Sequence, residues 1–198
     1  MSHKIRTNEK VRFITRGAVI AALYVVLTWL AASLGLSGQS AVQVRFSEML
    51  TVLPYFTAAA VPGLTIGCLL ANILTGAAVL DIIFGTVATL LGALGTYFLR
   101  KYRYLAPIPP IVANTVIVPF VIKAAYVDVT DSLGFLFLTV GAGEIISAGV
   151  LGMLLLLALD NQRRYPFMYD EKQLLAVRKR EAEKDAAAKQ KETAKDDT

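Results

Sequence analysis

Histidine, cysteine and charge are all scarce in this 198-residue chain, and each shortage removes a class of function. The only histidine is His3, in the polar leader, so an intramembrane His-ligated metal and any hydrolase built on a Ser/His or Cys/His pair are excluded. The one cysteine, Cys68, lies in an apolar segment. It allows no internal disulfide, leaves the redox compartment open and reads as a small packing residue. No G-x-x-x-x-G-K-[ST] occurs, so the chain has no Walker-type nucleotide loop. Charged residues make up only 18% against 56% hydrophobic, with a mean hydropathy of +0.57. Those charges gather at the two ends and in a few loops, which is the distribution of an integral membrane protein. The formal charge of +5 flanks apolar spans and forms no single stripe, which argues against nucleic acid as a partner.

What is present is apolar material from Phe13 to Leu159. The first run, Phe13 to Leu36, is far longer than a signal-peptide core and reads as a retained first span. Lys and Arg accumulate in cytoplasmic loops. Here they cluster in the leader (Lys4, Arg6, Lys10, Arg12, Arg16), after Leu99 (Arg100, Lys101, Arg103) and after Asp160 (Arg163, Arg164). If all three clusters are cytoplasmic, an even number of crossings separates each pair. Leu105–Ala125 and Ser132–Leu159 supply two, split by Asp128 and Asp131. The block Glu48–Leu99 then has to hold an odd number, and three short crossings fit, interrupted near Pro62–Gly63 and Leu80–Asp81.

The expected fold is all-α, a compact bundle of about six transmembrane helices with both termini cytoplasmic, roughly 11–36, 47–61, 63–80, 82–99, 107–125 and 133–159. Its outer loops are Ser37–Phe46, the turn at Asp81 and Lys123–Asp131. Residues 1–10 form a basic leader and 11–160 the membrane domain. The segment 161–198 is a Lys/Glu/Ala-rich tail with no face to bury, expected to be disordered or loosely helical. No internal repeat suggests an inverted-repeat carrier.

Glu144 stands alone in the uncharged stretch Ser132–Leu159, and a carboxylate at that depth is costly unless it meets a partner, a ligand or water. In the six-helix arrangement other polar residues converge with it toward the outer half: Gln43, Arg45, Glu48, Asn72, Asp81 and Asn114. Each has a plainer reading. Glu48 could serve a helix start and pair with Arg45, and Asp81 could be an N-cap. Asn72 and Asn114 could simply bond neighbouring helices. Lys123 fits a snorkelling anchor, and Trp29, Tyr55, Tyr97 and Tyr126 fit interface belts. Glu144 fits no cap and has no cation four residues away on its helix. A further signal is the small-residue pair Ala18-x-x-x-Ala22, with the same spacing at Gly63-x-x-x-Gly67, which permits close helix approach.

The segments Val44-Arg45-Phe46-Ser47-Glu48, Leu53-Pro54-Tyr55-Phe56, Ile66 through Cys68 and Asn72 to Gly76, Gly92-Ala93-Leu94-Gly95-Thr96 and Gly143-Glu144-Ile145-Ile146, with Ala18-x-x-x-Ala22, carry a resemblance. Over roughly Arg12–Asp160 the chain resembles the S components of energy-coupling factor (ECF) transporters, within them the QueT queuosine-precursor group. The resemblance implies a multi-pass protein of a prokaryotic plasma membrane that is not an enzyme and has no cofactor. It would bind its solute from outside and work with a membrane scaffold subunit and two ATPases. Ala18 and Ala22 would dock the scaffold, and the S component would topple to carry its pocket inward.

The implied solute is a 7-deazaguanine base. Its ring N–H beside an exocyclic amine suits bidentate acceptance by a carboxylate, for which Glu144 is the expected residue. Asn72, Asn114 or Gln43 would serve the neighbouring carbonyl and ring nitrogen, Glu48 or Asp81 an aminomethyl group, and Trp29, Phe46, Tyr55 or Tyr126 the flat ring. Other readings stay open: an S component for another vitamin or nucleobase, a proton-coupled secondary carrier titrating Glu144, or a membrane adaptor.

Overall fold

The structure is a computed structural model and describes residues 2–35, 45–126 and 131–160. Gln43, Asp128 and the tail 161–198 lie outside the described residues. The chain divides into a unit Met1–Ala158 and a unit Leu159–Thr198, of which only the first two residues are described. Among the described residues every regular element is helical. These are α1 (Ser2–Ser33), a 3-10 segment (Phe46–Tyr55), α2 (Ala60–Leu74), α3 (Val79–Phe98), a single 3-10 turn (Arg103–Leu105), α4 (Ile108–Ala125), α5 (Leu133–Glu144), a π segment (Ile145–Leu151) and α6 (Gly152–Leu159).

Glycine contacts fix how the passes run. A Cβ on Gly63 would fall 2.7 Å from the Gly17 carbonyl oxygen, and one on Gly67 2.8 Å from Tyr24 Cβ. The pairing of 17 with 63 and of 21 and 24 with 67 makes α1 and α2 parallel, in backbone contact that only glycine allows. Gly92 and Gly95 meet Pro110 and Pro109, and Gly141 and Gly149 meet Thr115 and Ile111, so α3 is antiparallel to α4, and α4 to the run that begins with α5. The 3-10 segment is the descending pass between α1 and α2. Successive helical segments therefore alternate in direction, counting α5, the π segment and α6 as one continuous run.

The interior is inverted relative to a water-soluble domain. Ala21, Ala31, Ala59, Ala60, Ala71, Ala88, Ala93 and several threonines are buried, whereas Ile14, Leu23, Val26, Leu74, Phe98, Leu138 and Leu154 face outward. Small residues inside let helices approach, and large aliphatic ones outside suit hydrocarbon.

Four stretches are long and apolar enough to cross a membrane: Glu9–Ser33, Val79–Phe98, Arg103–Ala125 and Leu133–Leu159. In the block after Arg45, where three short crossings are expected, one of the expected helices is replaced. There the second pass is not an α-helix over 47–61 but ten residues of 3-10 helix, and α2 has only 15 residues. At about 2.0 Å per residue the 3-10 segment still rises about 20 Å, close to what α2 achieves at 1.5 Å per residue. The break falls at 56–59 and not at Pro62, because Pro62 sits in the first turn of α2, where a backbone N–H has no intrahelical partner to lose. Likewise the α2–α3 turn is centred on Gly76, with φ +70°, and Asp81 lies inside the first turn of α3. At the start, α1 runs back to Ser2 through the leader, where the expected helix began at 11.

Candidate functional site

Two irregular stretches place the central carboxylates. Glu48 lies on the 3-10 segment, in which Ser47, Glu48, Leu50, Thr51, Val52, Leu53 and Pro54 are all buried, so the strand of backbone runs through the middle of the bundle. A 3-10 run of ten residues is unusual, since side chains three apart eclipse and the hydrogen bonds are poorer. Thr51 Oγ1 donates to the Glu48 carbonyl at 2.6 Å, fastening the segment's first turn. Glu144 closes α5, and the backbone widens into the π segment from the next residue. The π geometry is rare and re-aims the side chains on either side of it. Between these two stands Asn114 on α4. One turn further along α4, Pro119 has no N–H to offer the Thr115 carbonyl, which loosens the helix beside Asn114.

Glu48 is the hub of a hydrogen-bonded chain. Tyr24 of α1 donates its hydroxyl to Glu48 Oε1 at 2.6 Å, and Asn114 Nδ2 donates to Glu48 Oε2 at 3.3 Å. The amide orientation follows from chemistry: its NH2 group must face the Glu48 carboxylate and its oxygen must turn away. A second track of contacts runs through Cys68 of α2. There Thr89 Oγ1 donates to Cys68 Sγ at 3.3 Å, and Asn72 Nδ2 approaches the same sulfur at 3.6 Å. Cys68, expected as packing alone, is thus a shared acceptor.

A rim lies beyond this centre, where α1, α2, α3 and α4 approach their connecting segments. Arg45 Nη2 stands 3.9 Å from Asp81 Oδ2, and the Tyr126 hydroxyl donates to the same oxygen at 3.4 Å. That hydroxyl also accepts the Ala78 N–H at 3.4 Å. Burial disfavours the charge of Arg45, but Asp81, Tyr24 and Glu48 together outweigh it and hold the guanidinium above its ordinary pKa. Asp81 Oδ1 and Asn72 Nδ2 flank the bare Cα of Gly85, each within 3.3 Å of where a Cβ would sit.

The structure therefore brings Glu144, Glu48, Asn114, Asn72, Asp81 and Arg45 into one neighbourhood, with Tyr126 at its edge. It does not bring Trp29 there: that side chain is 63% exposed on the outer surface of α1. Ala18 and Ala22 are exposed on α1 as well, while Gly17 and Ala21 of the same helix turn to α2. Tyr24 escaped the sequence reading, although a tyrosine in the middle of an apolar span, away from either interface, was the available signal. Ser47, Thr115 and Ser147 escaped it too.

Five buried polar atoms lack a partner among the described residues: Ser47 Oγ, Asp81 Oδ1, Thr115 Oγ1, Glu144 Oε2 and Ser147 Oγ. Buried polar atoms are nearly always satisfied, so a concentration of orphans beside two carboxyls marks a place where something else supplies the missing bonds. No group of three or more metal-ligating side chains occurs among the described residues.

Alternating helical passes, an aliphatic exterior and a sealed polar centre with unmet hydrogen-bonding capacity define a multi-pass membrane protein that takes a small solute. A family model described as QueT transporter matches residues 14–161, and the chain belongs to that family. It is a transport protein and not an enzyme. Searches of curated proteins and of solved structures returned no match.

Proposed function

We propose that this chain is the substrate-binding S component of an ECF importer and takes up a 7-deazaguanine base. The observation that carries the reading is the state of Glu144. Its Oε2 is buried and unpartnered, while both oxygens of Glu48 already accept from Tyr24 and Asn114. Glu144 is thus the acid with capacity for the adjacent ring N–H and exocyclic amine of a guanine-like edge, and Ser147, one turn further on, offers a hydroxyl to the neighbouring carbonyl. On this reading Asp81 and Asn72 serve the substituent on the five-membered ring.

Partner docking belongs to the face of α1 that carries Ala18 and Ala22, which no element of this chain covers among the described residues. A scaffold subunit would seat there, with two ATPases beneath it, and both termini and the basic connection Arg100–Arg103 would face the cytoplasm of a prokaryotic cell. The rim of Arg45, Asp81 and Tyr126 would then open outward.

Titration calorimetry on the purified chain with the aminomethyl and cyano forms of the base tests the reading. Binding of at least one form, weakened about 30- to 100-fold in Glu144→Gln, is expected for the loss of a charge-assisted bidentate contact. No heat with either form, or equal affinity in the variant, refutes it. Uptake by the chain alone driven by a proton gradient would instead identify a secondary carrier.

A further inference from the structure

We propose that the array of cations and aromatic rings in the connection between α3 and α4 binds the phosphate of an anionic phospholipid, whose acyl chains lie along the outward faces of the two helices. Val79–Phe98 and Arg103–Ala125 are both long and apolar enough to cross a membrane, so the residues between them lie at a membrane surface. Arg100, Lys101 and Arg103 fall within four residues there, and no Asp or Glu occurs anywhere between Asp81 and Asp128. Cations so placed attract anionic headgroups.

The structure adds an order that charge alone does not give. Arg100 Cζ lies 4.4 Å from the centre of the Tyr97 ring, Lys101 Nζ 5.7 Å from that of Tyr102 and Arg103 Cζ 4.7 Å from that of Tyr104. Attraction to a ring face holds each cation near one position. Arg103 Nη2 also donates to the Tyr104 hydroxyl at 2.6 Å. A guanidinium carries its donors in its own plane, so a ring on its face restrains it without using them, and the phosphate oxygens can accept from its edge in pairs. The backbone beneath is tied as well. The Tyr102 N–H donates to the Leu99 carbonyl at 2.8 Å, the Leu105 N–H to the Tyr102 carbonyl at 3.0 Å, and Thr96 Oγ1 to the Ala106 carbonyl at 2.8 Å. The array is therefore set before any lipid arrives, which lowers the cost of ordering it on binding. Tyr102 and Tyr104 are 54% and 63% exposed, as suits rings at headgroup level. Next to them Phe98 of α3 is exposed, and on α4 Ile108, Val112 and Val116 face outward. Their spacing of four places those three on one stripe of the helix, leading away from the cations toward the hydrocarbon. Headgroup contacts and chain contacts thus run on without a break.

Native mass spectrometry of the full chain in neutral detergent, titrated with phosphatidylglycerol or phosphatidylcholine, tests the site. The parent should retain one phosphatidylglycerol far more tightly than phosphatidylcholine. Arg100→Gln/Lys101→Gln/Arg103→Gln should weaken phosphatidylglycerol about 100-fold and leave phosphatidylcholine unchanged. Lys10→Gln/Arg12→Gln/Arg16→Gln removes the same charge from the start of α1 and should keep the tight lipid; equal losses in the two triple variants would reduce the effect to net charge and overturn the proposal. Tyr102→Leu/Tyr104→Leu keeps apolar bulk but removes two ring faces, and should cost about 5-fold. Unchanged affinity there overturns the role of the array. Inorganic phosphate at the lipid's concentration should not displace it; displacement would mark a free-phosphate site and refute the lipid. A triple variant that keeps phosphatidylglycerol and instead loses a copurifying protein would mark a protein-docking patch and refute it too. If the triple variant does not fold, Arg100→Gln and Lys101→Gln singly decide, each with an expected loss of about 5-fold.

Discussion

The centre and the rim of this site are built from the same residue types and held very differently. At the centre, Tyr24, Glu48 and Asn114 come from three separate helical segments and are joined by bonds of 2.6 and 3.3 Å, with Glu48 only 1% exposed. At the rim, the Arg45–Asp81 and Tyr126–Asp81 contacts stretch to 3.9 and 3.4 Å, and the Arg45 side chain is 22% exposed. A buried hydrogen-bonded network is strong when complete and costly when broken, whereas longer contacts near water are individually weak and easily exchanged. On the proposed function the centre would recognise the solute and the rim would let it pass.

The largest effect expected from this contrast falls on the centre. Glu144→Gln should raise the Kd for a 7-deazaguanine base about 30- to 100-fold by calorimetry. Glu48→Gln should come next, since it leaves Tyr24 and Asn114 with a weaker acceptor. We expect about a 10-fold loss of affinity, and a loss below 2-fold would show that the centre is not a connected unit. Gly67→Ala probes what keeps the centre in register. The added methyl would meet Tyr24 Cβ at 2.8 Å, and the overpacking should lower stability by about 1–3 kcal/mol in thermal unfolding. At the rim, Asp81→Asn should change Kd only about 2- to 5-fold, in keeping with contacts worth about 1 kcal/mol or less. A rim variant more damaging than Glu48→Gln would invert the comparison. Smallest of all, Ala18→Leu on the uncovered face of α1 should leave unfolding within about 0.5 kcal/mol and the Kd unchanged, while abolishing copurification with a scaffold subunit.

Much of the fold was legible because hydrocarbon leaves so few alternatives. The last two passes, expected at 107–125 and 133–159, are found at Ile108–Ala125 and Leu133–Leu159, since the intervening acids and the basic segments leave only those stretches apolar. The block after Arg45 was less legible. Mean hydropathy is blind to whether a buried apolar stretch is wound as α or 3-10 helix, and Pro62 marks a helix start as readily as a break. For the site, Glu48, Asn114 and Glu144 were conspicuous because each is a polar residue in an apolar setting. Tyr24 and Cys68 were not, since either type is at home in a membrane span as belt or packing, and what distinguishes them is the atom they touch.

The all-helical plan, the membrane as solvent and the identity of the trapped polar residues all follow from the sequence, because burial of charge in hydrocarbon is so costly that each such residue must have a purpose. Which partner satisfies which atom was decided only in three dimensions. Tyr24 and Glu48 are 24 residues apart, and Glu48 and Asn114 are 66 apart. Packing of glycines against backbone, a 3-10 segment through the middle and a π turn after Glu144 bring them within bonding distance and leave one carboxylate oxygen without a partner. Hydrogen bonds depend on fractions of an ångström and on angle, and those are properties of the assembled bundle.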